Sequence, residues 1–577
     1  MKEKIHDRLA AVAGDCGIDP GTIQLGYPED PAHGDLTTNL AMANAKRLKA
    51  DPRALAEKVI AEFMKGAPSE VEAVEIAGPG FINFKVKDAW FAEEALKIAD
   101  DAHYGQSHSL KGQKVMVEYT DPNPFKVFHI GHLMSNAIGE SVSRLIQSSG
   151  AEVIRACYQG DVGLHVAKTI WAIMKKGVPA DLAAEKAEDE KAVKEKVAWL
   201  GERYAEGASH DDDPEARKEI LEMNKKIFDR SDDGINRIYD YGRKVSLEYF
   251  DSIYARLGTR FDRFFFESEV DENGLAAVNG FLDKGVFEKS DGAVVFKGEK
   301  HGLHTRVFIT SQGLPTYEAK ELGLNAEKFK LYPDLSRSII VTANEQSDYF
   351  KVLLKVLSLI RPDIAEKTRH MSHGMLRFAT GKMSSRKGNV ISAEQLIDDI
   401  RKLVKERIED EEVCDEVAIA AIKYTILRQA IGGDVIFDSA SSISFEGDSG
   451  PYLQYSAVRA NSVIEKAESI KSIKSGKSIK SIKSGKSIRV PEKVGNLERL
   501  LSRFPDVAER ARQAYAPQIV ANYLTALAAE FNSFYGRQVI LDENDPLSPY
   551  HVALTRAFKT VMANGLWLLG IKVPRKM

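Results

Sequence analysis

Residues 115–150, VMVEYTDPNPFKVFHIGHLMSNAIGESVSRLIQSSG, admit few readings other than strand, turn and helix. Apolar residues alternate around Val115 and Val117, and Pro122 and Pro124 end the extended run. Ile130, Leu133, Met134, Ala137, Ile138, Val142, Leu145 and Ile146 then recur at helical spacing. His129 and His132 therefore sit at the mouth of a helix, where unpaired backbone N–H groups and a positive dipole end meet the small Gly131. A nucleotide suits such a place. A solvated loop histidine beside a capping histidine would read the same way.

A second segment bears on that choice. GKMSSRKGN, residues 381–389, sets two lysines and an arginine among small residues. Its cations could close over phosphates and stabilise the charge that develops during transfer; alone, it is a basic surface loop. Together, HIGH at 129–132 and KMSSR at 382–386 resemble the paired signatures of class I aminoacyl-tRNA synthetases. The resemblance implies an α/β fold, with a Rossmann-type ATP site at the carboxyl edge of a parallel sheet. It implies ATP contacts from His129, Gly131, His132, Met383, Ser384 and Ser385, and catalytic roles for His129, His132, Lys382, Arg386 and Lys387.

At 577 residues the chain exceeds one core, and about three to five domains are expected. A net charge of -4 and a pI near 6.4 neither support nor exclude RNA, so any contact with it must come from local basic surface. Cys16, Cys157 and Cys414 lie far apart and suggest neither a disulfide framework nor a zinc site, which fits a reducing cytoplasm. The N-terminal MKEKIHDRLAAVAGDCG is a charged amphipathic helix rather than a signal peptide, and the apolar run 566–571 is too short for a bilayer. No membrane association is expected.

Residues 1–108 read as a small α/β domain without a catalytic cluster. On burial habits alone Phe81 belongs to a core. HGDLTTNLAMANAKRLKADPRALAEKV followed by GPGFINF resembles the additional N-terminal domain of arginyl-tRNA synthetases, in which the residues matching Phe81 and Asn83 face the tRNA D-loop.

Residues 109–414 read as the catalytic domain, with its KMS loop at 381–389. In YQGDVGLHVAK, Asp161 and His165 are either ligand contacts or, for Asp161 beside Gly160 and Gly163, a turn and helix cap. A charged helical insertion is expected at about 172–300, ending in the aromatic strand RFDRFFFESEV, whose Glu267 would ordinarily be exposed. Tyr317 and Glu321 are four apart and share a face if that segment is helical. The family resemblance implies that Tyr317 and Glu321 hold the arginine guanidinium, although the family has aspartate where this chain has Glu321. It further implies that Gln346, Glu118, Asn123 and His132 line the same pocket, with Glu267 near it. In the common KMSKS form a second lysine supports the phosphates; Ser385 stands there in this chain. Family members without that lysine carry one just before HIGH, a place taken here by Lys126.

From 415 to 577 four segments show apolar spacing of three and four, as in a helical bundle. GDSGPYLQYSAVRA, FNSFYGR and the ending PRKM resemble the anticodon-binding domain of arginyl-tRNA synthetases, with Tyr455, Tyr535 and Met577 facing tRNA by that likeness. GDSGP also looks like the nucleophile loop of trypsin-like proteases, but Ser449 leads into a bundle, without the β-rich fold that chemistry needs. The tandem nonamer IKSIKSGKS at 470–487 is either an RNA-attracting insert or a replicated solvated linker.

The resemblance as a whole implies an arginine-tRNA ligase that uses ATP with Mg2+ as a substrate complex and carries no metal of its own. Its partners would be tRNA(Arg), L-arginine and ATP, and a cytoplasmic monomer is expected. Synthetases for lysine, glutamate or cysteine are rivals within the class, and paired cysteines for a zinc-based cysteine pocket are absent. From another class, a catalytically silent relative that only binds RNA would not need both signatures.

Overall fold

A computed structural model describes residues 1–177, 190–379, 391–475 and 488–577. The KMS-loop residues Lys382, Met383, Ser384, Ser385, Arg386 and Lys387 lie outside the described residues, as does most of the nonamer repeat.

Five strands build the central sheet: β1 (Lys114–Glu118), β2 (Glu152–Gln159), β3 (Arg263–Phe266), β4 (Leu335–Ala343) and β5 (Thr368–His373). They lie in the order β5-β4-β1-β2-β3, and every pairing is parallel. Strand order reverses direction at β1, so the carboxyl ends of β1 and β4 open the crevice where doubly wound folds bind ligands. The aromatic stretch differs from its expected place. It forms the edge strand β3 of the sheet itself, because Phe265 is buried on one face and Phe264 packs on Phe261 and Tyr254 on the other. The helices Glu190–Ser209, Pro214–Asp229 and Asp233–Leu257 precede it, and a small antiparallel sheet (Glu288–Ser290, Ala293–Phe296, Arg306–Ile309) follows it.

The helix Ile130–Gln147 covers one face of the sheet, and all its expected apolar positions except Ile130 are buried. On the other face, β1 and β2 present Met116, Glu118, Ala156 and Tyr158, and β3 presents Phe265. The helix Tyr317–Leu331 packs here through Leu324. Its residues Glu321, Leu324, Asn325 and Lys328 follow helical spacing and are all buried, which sets three polar side chains against a sheet.

The chain folds as two compact units. One comprises residues 105–459, 505–529 and 562–577, and the other 1–104, 460–504 and 530–561. In the second, the strand Phe81–Val86 lies between Leu36–Thr38 and Val71–Ala77, over a core that includes Leu9, Phe63 and Phe84. Arg499 pairs there with Asp35 and Asp88 and covers the ring of Phe91. In the first, Ser141 of the Ile130–Gln147 helix donates to the carbonyl of Leu568, and buried Lys423 donates to the carbonyls of Leu257 and Gly570 at 2.7 Å each. Cys16, Cys157 and Cys414 are buried thiols. Among the described residues no helix is long and apolar enough to cross a membrane.

Gly139 fixes how closely the Ile130–Gln147 helix approaches the sheet, since a Cβ there would fall 2.2 Å from Cγ of Tyr119. The Tyr119 hydroxyl in turn donates to Glu140, which also pairs with Arg144 and Arg155. Gly139→Ala should therefore force the helix outward at a cost of about 1–3 kcal/mol, the range for overpacking, read as a lower thermal midpoint. An unchanged midpoint would mean that the helix seat is soft.

Candidate active site

The turn from β1 into the next helix is strained and firmly held. Thr120 and Asp121 have φ of 82° and 47°, and Phe125 has 68°. A β-branched residue in that region is a true outlier, and such strain persists only where neighbours over-determine it. Here Ser135 accepts from the Thr120 N–H and donates onward to the Val341 carbonyl, Asn136 donates to the Thr120 hydroxyl, and Ser246 accepts from the Phe125 N–H. The helix start is thereby fixed at the carboxyl end of the sheet.

His129 caps that helix. Its Nδ1 accepts from the Gly131 N–H at 3.1 Å, while His132 Nδ1 accepts from the His129 N–H at 3.2 Å, and the two rings stack 3.6 Å apart. Burial pushes the His129 pKa down to about 4, helped by the nearby Lys126 ammonium, and drives His132 well below the usual range. Both rings are neutral near pH 7. Since each Nδ1 is an acceptor, each proton resides on Nε2, so the pair offers two N–H donors and no positive charge. The positive charge at this mouth comes from Lys126, which lies over the ring of Tyr204 at 4.9 Å and acts electrostatically on His129, His132, His165 and Glu267.

The chain from Ile391 onward returns to the same turn. Ile391 accepts from the Ile130 N–H, Ser392 bridges His129, and the Ala393 N–H donates to Phe128. The residues that follow the KMS segment thus bond directly to the HIGH turn.

Beside this mouth, between the sheet and the Tyr317–Leu331 helix, lies a buried layer of carboxyl groups. Glu118 ends β1, with Lys328 Nζ 2.7 Å from its Oε2 but off the hydrogen-bond line. Glu267 follows β3 and accepts from Lys320 at 2.6 Å. Among the described residues, the Glu321 carboxyl group has the Asn325 amide as its hydrogen-bond partner, at 3.3 Å from its Oε1. Burial, and then the Glu118 carboxylate, push the Glu321 pKa up to about 8. Asp121 is likewise raised well above the carboxylate range, first by burial and then by Glu118. Four acids thus face two lysines, and Glu321, with no ion-pair partner among the described residues, keeps its proton near neutrality. The layer will ionise for a cationic ligand, above all one with several N–H donors such as a guanidinium. Among the described residues, no three histidine, cysteine or carboxylate side chains converge to hold a metal.

Most residues expected in the pocket reach this edge, with differences. Asn123 Oδ1 accepts from the Gly160 N–H, and a Cβ on Gly160 would meet both Asn123 and Glu267, so only glycine lets these two approach. Glu267, expected to be exposed, is 3% exposed because Lys320 neutralises it inside the layer. Tyr317 and Glu321 do share a helix, yet Tyr317 is 58% exposed at its start while Glu321 is buried. Gln346 is exposed at the carboxyl end of β4, at the N-cap of the helix Ser347–Ile360.

Asp161 does not cap the helix Leu164–Lys176, whose N-cap is Gly163. Asp161 is fully buried, accepting from Tyr239, Arg243 and both the backbone and hydroxyl of Ser268, and so ties the Asp233–Leu257 helix to the start of the helix Glu267–Leu282 that follows β3. His165 Nε2–H donates to the Gly160 carbonyl, 2.8 Å away. Ser449 accepts from the Tyr452 N–H as a cap, consistent with its place before a helix. Phe81, assigned to a core on burial habits, is 39% exposed on its strand, whereas Asn83 is buried and accepts from the Thr37 hydroxyl, which leaves it turned inward. Arg459 covers the Tyr455 ring, Tyr535 is 42% exposed, and Met577 is partly exposed. Sequence reasoning missed Asp121, Lys320 and Lys328. Lys328 stands two helical turns beyond Glu321, a charge pattern that points inward only because that helix lies flat on the sheet.

Comparison with known proteins agrees in every segment. Residues 95–439 match the tRNA synthetases class I (R) catalytic domain, 453–577 the DALR anticodon binding domain, and 1–86 the arginyl tRNA synthetase N terminal domain. The arginine–tRNA ligase of Porphyromonas gingivalis is 29% identical over 600 residues, covering 99% of each chain. That of Clostridium botulinum is 31% identical over 535 residues, covering 90% of this chain and 91% of its own. The arginyl-tRNA synthetase structure from Thermus thermophilus shares the fold, with a TM-score of 0.79 over the whole of both chains at 23% identity. With a catalytic-domain match across more than half its length and matching domains on either side, the chain belongs to the arginyl-tRNA synthetase family of class I.

Proposed function

We infer that this chain is an arginine–tRNA ligase, activating L-arginine with ATP to arginyl-adenylate and passing the arginyl group to the terminal adenosine of tRNA(Arg). The observation that carries the arginine reading is the buried layer of four acids against two lysines, directly beside a helix mouth that suits a nucleotide. No enzyme nucleophile is needed. The α-carboxylate of arginine attacks the α-phosphate, pyrophosphate leaves, and a ribose hydroxyl of the tRNA later displaces AMP.

Catalysis then consists of alignment and charge stabilisation. His129 and His132 supply Nε2–H donors, Gly131 lets the nucleotide approach, and Lys126 supplies a fixed cation, with Lys382, Arg386 and Lys387 contributing from the KMS segment and Met383, Ser384 and Ser385 contacting ATP. ATP enters as its magnesium complex. Glu321, Glu267 and Tyr317 take the guanidinium, while Glu118, Asn123, Gln346 and His132 line the rest of the pocket. Selectivity follows because an amino acid without that fork leaves the layer unpaired.

We also propose residues 1–108 as the tRNA D-loop domain, 109–414 as the catalytic domain and 415–577 as the anticodon-binding domain. Phe81, Tyr455, Tyr535 and Met577 would face tRNA, and Asn83 would hold the strand that displays Phe81. The working form is a monomer in the cytoplasm.

Pyrophosphate exchange tests the reading directly. Arginine alone among the amino acids should support exchange, and only with tRNA present, as in the family. Absence of arginine-dependent exchange with tRNA would overturn the ligase reading, and robust exchange without tRNA would overturn the ordering.

Lys126 carries a separate expectation. If it substitutes for the lysine missing at Ser385, Lys126→Ala should slow adenylate formation by about 2 kcal/mol or more, the scale for losing one donor to a developing oxyanion, and should change transfer from preformed adenylate much less. Near-normal adenylate formation, with a large loss in Lys387→Ala, would move the role to the KMS segment.

A further inference from the structure

One polar group in the carboxylate layer has no assigned task. Tyr158 stands near the carboxyl end of β2, on the face that carries Ala156 and, across the sheet, Glu118 and Phe265. Its ring packs in the apolar cluster of Met116, Ala156, Phe265 and Leu324, and its backbone N–H donates to Asp121 at 2.8 Å. The hydroxyl points beyond that cluster into the polar layer. It is fully buried, and among the described residues it has no hydrogen-bond partner. Glu267, Glu321, Tyr349 and Glu118 are near enough to act on it electrostatically, and three of these belong to the proposed arginine pocket.

A buried hydroxyl without a partner is destabilising, and its counterparts in this layer show how uneven the layer's internal pairing is. The Lys328 ammonium and the Asn325 carbonyl oxygen also lack hydrogen-bond partners there, whereas the Lys320 ammonium is satisfied by Glu267. A phenol differs from these groups in offering one donor and one acceptor at the same oxygen. A guanidinium has five N–H donors and no acceptor, so it can satisfy the phenol's acceptor side. Once it ionises a neighbouring carboxyl, that carboxylate accepts the phenol's proton side.

We propose that Tyr158 is a specificity-determining residue of the arginine pocket, its hydroxyl accepting from the substrate guanidinium and donating to the carboxylate of Glu321. The proposal rests on the ligase reading above, since it names a contact within that site.

The discriminating variant is Tyr158→Phe, which removes the oxygen alone and keeps the packed ring. Two quantities are compared with the parent protein: the arginine KM in tRNA-dependent pyrophosphate exchange, and the thermal midpoint with and without arginine. The arginine KM should rise about tenfold, the loss expected for one hydrogen bond to a charged group, while the ATP KM and kcat stay near the parent values. The ligand-free midpoint should be equal or higher, since an unpartnered buried oxygen has been removed, and the arginine-induced rise should shrink. An unchanged arginine KM would overturn the proposal, and so would a lowered ligand-free midpoint, which would make the hydroxyl a structural bond. If the parent protein itself shows no response to arginine in either assay, the ligase reading fails first. A normal parent response matched by Tyr158→Phe defeats only the role of Tyr158.

Discussion

Burying acids is expensive, and this fold buries four of them in one layer. Glu118, Asp121, Glu267 and Glu321 lie together where the Tyr317–Leu331 helix meets the carboxyl edge of the sheet, and among the described residues the lysines paired with them are Lys320 and Lys328. An isolated carboxylate in such a place shifts its pKa and keeps its proton instead of paying for ionisation. The layer is therefore stable in a form that is incomplete as a binding site. A cation with several directed N–H groups completes it, so the same electrostatic tension that penalises the empty site supplies discrimination for the filled one.

The neighbouring helix mouth depends on this edge as well. Strand β1 delivers Glu118 into the layer and then, within a few strained residues, turns back to start the Ile130–Gln147 helix. Ser135, Asn136 and Ser246 hold that turn in place. One backbone excursion thus brings the proposed nucleotide site and the proposed amino-acid pocket to the same edge of the sheet. Alignment is the main service the fold can offer a reaction whose nucleophile belongs to the substrate. With both histidines neutral, the mouth donates hydrogen bonds while Lys126 alone among these residues supplies charge.

Much of this could be read from the sequence, for reasons that differ by element. The 115–150 segment declared itself because a parallel strand and an amphipathic helix have distinct periods, and the buried face of the helix fell on the expected residues. Glu118, Asn123, Tyr317 and Glu321 were reachable through motif likeness. Periodicity failed at the aromatic stretch, since an edge strand of a sheet and the end of an insertion look alike until pairing is known. It failed also at Asp161, where a glycine-flanked aspartate suggested a turn or cap, while its partners Tyr239, Arg243 and Ser268 come from distant positions. Lys320 and Lys328 were hidden for a related cause. A lysine on a helix is ordinarily solvated, and only the seating of that helix on the sheet turns these two inward.

Proton counting on arginine binding tests the central claim most directly. Glu321, raised to about 8, holds its proton at pH 7, and an adjacent guanidinium favours the ionised form, so binding must expel that proton below the raised value and cease to do so well above it. Calorimetric titration of arginine into the tRNA-bound protein, repeated in buffers of different ionisation enthalpy, reads this number. The account predicts release approaching one proton per arginine at pH 7, fading as the pH is taken above about 8 and absent in Glu321→Gln. Binding with no proton release at pH 7, or with the same release in Glu321→Gln, would contradict it.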